Sequence, residues 1–174
     1  MENKPKKNIY AFIDSQNLNL GTSLDIKKRG KIVYKGWKLD MKKFYKYLSD
    51  KFRVTRAFLF VGYIPQNKRM YDSFKHFGYE LVFKPTVIDS EGKAKGNIDA
   101  EIVLYASCLK LNEYDEAVFV SGDGDFYCLY EFLQKKGKLK NIIIPNKYSE
   151  SSLLNRFGEY KIFLYREKSK LERK

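Results

Sequence analysis

Five consecutive residues, Ile9, Tyr10, Ala11, Phe12 and Ile13, form a mostly apolar run that ends at Asp14. Without polar alternation, such a run is a strand covered on both faces, expected near the centre of a parallel sheet. A Lys-rich, Gly-punctuated stretch continues to Lys38. Asp40 then stands where a helix N-cap is wanted, and Met41, Phe44, Tyr45 and Leu48 recur behind it at helical spacing. Val54 to Val61 reads as a second strand. Pro65 suits a first helical turn, Met70, Phe74 and Phe77 share a face, and Gly78 supplies a left-handed cap. Tyr79 to Phe83 makes a short third strand. Turn residues around Asp89, Ser90, Glu91 and Gly92 make Pro85 to Gly96 a loop or small hairpin.

A helix is expected from near Asn97, with Ile98, Ile102, Tyr105, Ala106 and Leu109 on one buried face. Ala117 to Val120 is a fourth buried strand, and the helix after it carries Phe126, Leu129, Tyr130 and Leu133 before Gly137. Asn141 to Ile144, a short helix around Ser152 to Phe157 and a strand at Lys161 to Leu164 complete the alternation. Strands alternating with helices pair in parallel through right-handed crossovers. The expected fold is therefore α/β: a three-layer α/β/α sandwich, PIN-like or Rossmannoid, around a central and mainly parallel sheet. Ligands of such sheets collect beyond the carboxyl ends of the strands.

Composition narrows this picture. A chain of 174 residues, 44% hydrophobic, fits one domain over its whole length, with a basic arm at 1–7 and a charged tail at 166–174. An aromatic content of 16% excludes intrinsic disorder. No apolar run approaches the ~20 residues that span a bilayer, and the N-terminus lacks a signal-peptide core, so a cytoplasmic protein without membrane contact is expected. Cys108 and Cys128 lie in helix-like segments without a CxxC partner and are expected as buried thiols, not a disulfide. The net charge of +13 comes partly in runs, Lys27, Lys28, Arg29 and Lys31, then Lys135, Lys136, Lys138 and Lys140. Such clusters bind polyanions by releasing counterions; no basic amphipathic helix stands out, so nucleic acid is favoured over an anionic membrane.

The acids carry the candidate chemistry. Asp14 closes the first strand, Asp123 and Asp125 follow the fourth in SGDGDF, and Asp99 stands in the first turn of the helix after Gly96. A crossover returning along the sheet could bring Asp99 to the same edge. Structural duties compete: Asp99 complements a helix dipole, and Asp125 is placed to cap the helix beginning near Phe126. Asp14, at the mouth of a buried strand, needs a partner. Carboxylates ~4 Å to 5 Å apart repel by several kcal/mol at an effective dielectric near ~20, a penalty that a divalent cation removes. All-oxygen ligation selects Mg²⁺ or Mn²⁺, and the single His76 with two separated cysteines provides no zinc set. Asn17 is placed either to bond a carboxylate or substrate or to form a turn, and Ser121 with its glycines lets backbone N–H groups approach a phosphate.

FIDSQN at Phe12 to Asn17, KGNIDAE at Lys95 to Glu101 and SGDGDF at Ser121 to Phe126 together resemble the NYN domain family, a branch of the PIN-like nucleases. The resemblance spans roughly Asn8 to Leu164. It implies a parallel-sheet sandwich and a divalent-metal site that cleaves RNA, its acidic positions falling on Asp14, Asp99 and Asp123, with Asp125 as a further acid. Expected substrate contacts are Asn17, Lys95, Ser121, Lys27, Lys28 and Arg29, and the expected partner is RNA or another single-stranded nucleic acid. The long basic segment Leu18 to Lys38 is open to three readings: a substrate flap, a homodimer arm or a decoration. Its Tyr34 and Trp37 would either stack on bases or, for Trp37, pack onto the following helix. A non-catalytic RNA- or DNA-binding protein is the main rival. An aspartyl-phosphate phosphatase would want a second Asp where Gln16 stands, and a nucleotide-binding oxidoreductase would want GxGxxG, which is absent.

Overall fold

Alternation within the first strand sets the layers of the molecule. β1 (Ile9–Asp14) turns Tyr10 and Phe12 into one core cluster and Ile9, Ala11 and Ile13 into another on the opposite face of the sheet. The computed structural model describes residues 6–84 and 98–174, with the backbone of two short strands between them. After β1 come α1 (Ser15–Ser23), β2 (Ile26–Lys28), β3 (Lys31–Tyr34), α2 (Met41–Phe52), β4 (Arg56–Gly62), α3 (Lys68–Phe77) and β5 (Tyr79–Lys84). Then follow β6 (Val87–Ile88), β7 (Ala94–Lys95), α4 (Asp99–Leu104), β8 (Glu116–Val120), α5 (Tyr127–Lys135), β9 (Leu139–Ile144), β10 (Lys161–Phe163) and α6 (Lys168–Leu171).

The central sheet has the order β10-β9-β8-β1-β4-β5, and every neighbouring pair is parallel. The chain thus builds outward from β1 through β4 to β5, then returns to the other side of β1 for β8, β9 and β10. The strand order reverses between β1 and β8, which is where an open parallel sheet leaves a crevice at its carboxyl edge. The expected α/β sandwich is the observed fold.

Several local expectations change. The stretch after Asp14 begins with α1, and its basic run forms the β2–β3 hairpin, where Arg29 and Gly30 both take positive φ (49° and 75°), the backbone of a tight primed turn. Tyr34 and Trp37 are buried, with the Trp37 indole N–H donating to the Tyr34 hydroxyl at 2.7 Å, so they belong to the core and offer no stacking platform. The helix from Asp99 widens into a π-turn at Tyr105–Leu109, which shifts its phase: Ile98, Ile102 and Ala106 are buried as expected, but Leu109 is 53% exposed. Both cysteines are free, as expected, yet exposed and not buried. Cys108 lies in that π-turn, and Cys128 precedes the buried Leu129 of α5 on another helix face.

The charged tail folds back onto the domain through α6, whose Leu171 is buried and accepts a hydrogen bond from the Asp40 amide at 2.9 Å. The second basic run is largely structural, since Lys135 pairs with Glu131, Lys140 with Glu116, and the Lys138 ammonium donates to the Tyr114 carbonyl. The expected turn at Asp89 to Gly92 and the helix start at Asn97 lie outside the described residues.

Candidate functional site

Ile13 of β1 pairs with Val120 of β8, so Asp14 and Ser121 leave the sheet side by side at the reversal of strand order. Asp14 is only 4% exposed. Its Oδ1 caps α1 by accepting the Asn17 N–H at 2.9 Å, and its Oδ2 accepts the Ser121 hydroxyl at 3.4 Å. The Ser121 oxygen in turn accepts the Asp123 N–H at 3.1 Å, and the Asn17 side-chain oxygen accepts the Gly122 N–H at 2.9 Å. Two of these hydrogen bonds, Ser121 to Asp14 and Gly122 to Asn17, tie the end of β1 and the start of α1 to the SGDGDF loop, and the other two brace each side. Ser121 and Asn17 act within this lattice: Ser121 is buried, and its hydroxyl links the Asp14 carboxylate to the Asp123 backbone amide.

The loop is held from its other side as well. Ser151 N–H donates to the Gly122 carbonyl at 3.0 Å, and a Cβ on Gly124 would run into the Ser151 side chain, so only glycine fits there. Asp123, not Asp125, caps the following 3₁₀ turn at Gly124–Phe126, accepting the Asp125 N–H at 3.0 Å. Asp125 is left exposed in the first turn.

Asp99 arrives from the first turn of α4, whose Ile98 and Ile102 anchor it in the same core cluster as Phe126 and Tyr130. Carboxylate oxygens of Asp99, Asp123 and Asp125 lie within 4.8 Å of one another. Asp14 stands outside this tightest group but within its field. Burial raises the Asp14 carboxyl to about 6, the Asn17 N–H opposes the rise, and the negative charges of Asp99 and Asp123 add to it.

Tyr130 is a residue that sequence reading left in the core. It is fully buried, its hydroxyl has no hydrogen-bond partner among the described residues, and its ionisation is suppressed by burial and then by the charges of Asp14, Asp123 and Asp99. Its spacing of seven from Asp123, two helical turns, is the signal that could have pointed to it. The residues present fit a hard divalent cation: every donor is oxygen, three carboxylates converge, and a buried hydroxyl beneath them wants an acceptor.

The other expected contacts lie elsewhere. Lys27, Lys28 and Arg29 are exposed on the β2–β3 hairpin, joined to Asp14 through the whole of α1, about 13 Å of helix. The Lys28 ammonium sits over the Tyr148 ring, 5.3 Å from its centre. Lys95 belongs to β7, and its side chain lies outside the described residues.

Known proteins agree with this architecture. Among solved structures, the crystal structure of VPA0982, a protein of unknown function from Vibrio parahaemolyticus RIMD 2210633, has a TM-score of 0.68 and covers 92% of this chain and 95% of its own at 22% identity. At that identity the likeness shows the fold alone. No curated protein matches the chain. The family model for the NYN domain matches residues 8–163, which hold every strand and acid of the carboxyl edge described above. A match of that extent, over a sheet whose three acidic motifs meet at one crevice, makes the chain a member of the NYN domain family of PIN-like nucleases.

Proposed function

We propose that this protein is a divalent-metal-dependent endoribonuclease using Mg²⁺ or Mn²⁺. The observation that carries this reading is the convergence of Asp99, Asp123 and Asp125 within 4.8 Å at the reversal of strand order, with Asp14 buried behind them. Three carboxylates at that spacing form an all-oxygen ligand set, and a divalent cation among them would offset their mutual repulsion. A bound divalent ion would activate water and stabilise the leaving oxygen of a phosphodiester.

The chain's own residues have distinct tasks. Asp99, Asp123 and Asp125 would hold the ion, with Asp14 as the fourth acid. Ser121 and Asn17 keep the acids in register through the hydrogen bonds given above. Lys27, Lys28 and Arg29, together with Lys95, take backbone phosphates, the first three from an exposed hairpin where they form no ion pair among the described residues.

A closed circular RNA and an end-labelled linear RNA, each incubated with Mn²⁺ and either wild type or Asp123→Asn, test the proposal. The wild type should open the circle, and the variant should lose at least ~100-fold in rate, because even groups that only orient a metal's ligands are worth 10–100-fold. Equal cleavage by both proteins at equal folding would sink it. RNA binding without any cleavage would instead support a purely binding role.

A further inference from the structure

The face of the sheet opposite Phe12 carries a cleft of about 1010 Å³ between α1, β4 and α3. Leu18 and Leu59 floor it, and Met70 and Phe74 of α3 form an apolar wall, with Met70 40% exposed. Along the lining stand Lys38, Lys42, Arg69 and Arg173. None of these four forms an ion pair among the described residues, whereas Lys51, Lys84, Lys140 and Lys161 elsewhere each hold an acid. The one acid in the lining, Asp40, is committed to capping α2 through the Lys42 and Lys43 amides. The cleft is therefore positive and apolar at once, with four cations against one acid in its lining and none of the four in an ion pair among the described residues.

Its position adds to its chemistry. Ser15 and Gln16, the residues directly after Asp14, line one end, so the cleft opens beside the carboxylate edge and runs the length of α1. Asn19 of α1 adds an exposed hydrogen-bonding side chain along that wall. A ligand suited to all of this presents phosphates to the cations, flat faces to the apolar wall and polar edges to α1. Single-stranded nucleic acid has that chemistry, and an acidic peptide matches only the charge.

We propose that this cleft binds a short single-stranded stretch of the RNA substrate, leading it away from the carboxylate site. The assignment deepens, and rests on, the nuclease reading above. Phosphates lie against Lys38, Lys42, Arg69 and Arg173, and a base lies on Met70 and Phe74.

Binding of a labelled single-stranded oligoribonucleotide of about eight nucleotides, followed by fluorescence anisotropy across a salt series in EDTA, tests it without cleavage. Lys42→Glu/Arg69→Glu should weaken binding ~10-fold or more and lower the salt slope by about two. Lys46→Glu/Lys135→Glu makes the same change in net charge at ion-paired surface sites outside the cleft, and should alter affinity far less. Phe74→Ala should weaken binding with the slope unchanged. Equal losses in the two charge-reversal variants, or displacement of the RNA by an equal concentration of a polyglutamate peptide, would overturn the proposal. The two readings fail separately. If the wild type cuts RNA in Mn²⁺ and cleft variants bind it normally, only the cleft assignment falls; if cleft variants lose binding but no protein cuts RNA, only the nuclease assignment falls.

Discussion

The two faces of the sheet are built from the same strands with opposite results. On one, Phe12 stacks between Phe58 and Phe119 at centroid distances of 5.6 and 5.3 Å, while Tyr105 meets Phe60 edge-on at 5.3 Å. These rings, with Phe126, Tyr130 and Phe157 beyond them, fill the space to α4 and α5. On the other face the strands turn Ala11, Ile13, Leu59, Val118 and Val120 toward α1 and α2, smaller side chains that leave the cleft beside α3 open. The layer of stacked rings is filled, whereas the other face leaves unfilled space between α1, β4 and α3. The carboxylates sit at the seam, where Asp14 ends the strand that serves both faces.

The sharpest way to break this contrast is a truncation on each side. Phe12→Ala should cost ~3–5 kcal/mol in urea denaturation, because its neighbours cannot collapse into the hole. Phe74→Ala, on the half-open wall, should cost only about 1 kcal/mol, since that side chain is partly solvated already. Comparable losses would mean that the cleft is packed as tightly as the aromatic layer.

Asp14 gives the next largest effect, read as pH dependence. Its carboxyl is raised from the ordinary 3.8 to about 6, so between those values the folded protein holds more protons than the unfolded chain. In chelator, stability should therefore fall as pH rises from about 4 to about 6, by on the order of 2–3 kcal/mol from this group. Asp14→Asn should remove that part of the slope. A profile identical in both proteins would show that the seam imposes no charge penalty.

The smallest effect separates the aromatic layer from the site above it. Tyr130→Phe keeps the ring and removes a buried hydroxyl that lacks a partner, so metal-free stability should stay level or rise by about 1 kcal/mol. Mn²⁺ affinity, measured by calorimetry, should fall by up to ~10-fold if that hydroxyl serves the bound ion's surroundings. Unchanged affinity would make Tyr130 purely a core residue.

Much of this was legible in residue order. The apolar run before Asp14, the cap at Asp40, the glycine at position 78 and the helical faces of α2, α3 and α5 all appear where periodicity placed them, because each depends on contacts a few residues apart. The three acidic motifs were legible too. Less so were their working relations: Asp123 takes the cap expected of Asp125, and Ser121 bonds the Asp14 carboxylate and the Asp123 amide where its glycine neighbours pointed to a phosphate. Helix α1 was hidden because it shows little amphipathic contrast, with Leu18, Gly21 and Thr22 as its buried residues. The π-turn that exposes Leu109 breaks the very period used to predict its burial.

By itself the sequence determined the alternation of strands and helices, hence a parallel sandwich, and the presence of acids at the ends of strands and at a helix start, since both follow from short-range pattern. Only the tertiary structure decided that Asp99 joins Asp123 and Asp125, because the packing of Ile98 and Ile102 beneath Phe126 sets where α4 begins relative to β8. It alone opened the cleft, since volume left unfilled between α1 and α3 is a property of how layers meet and not of any segment within them.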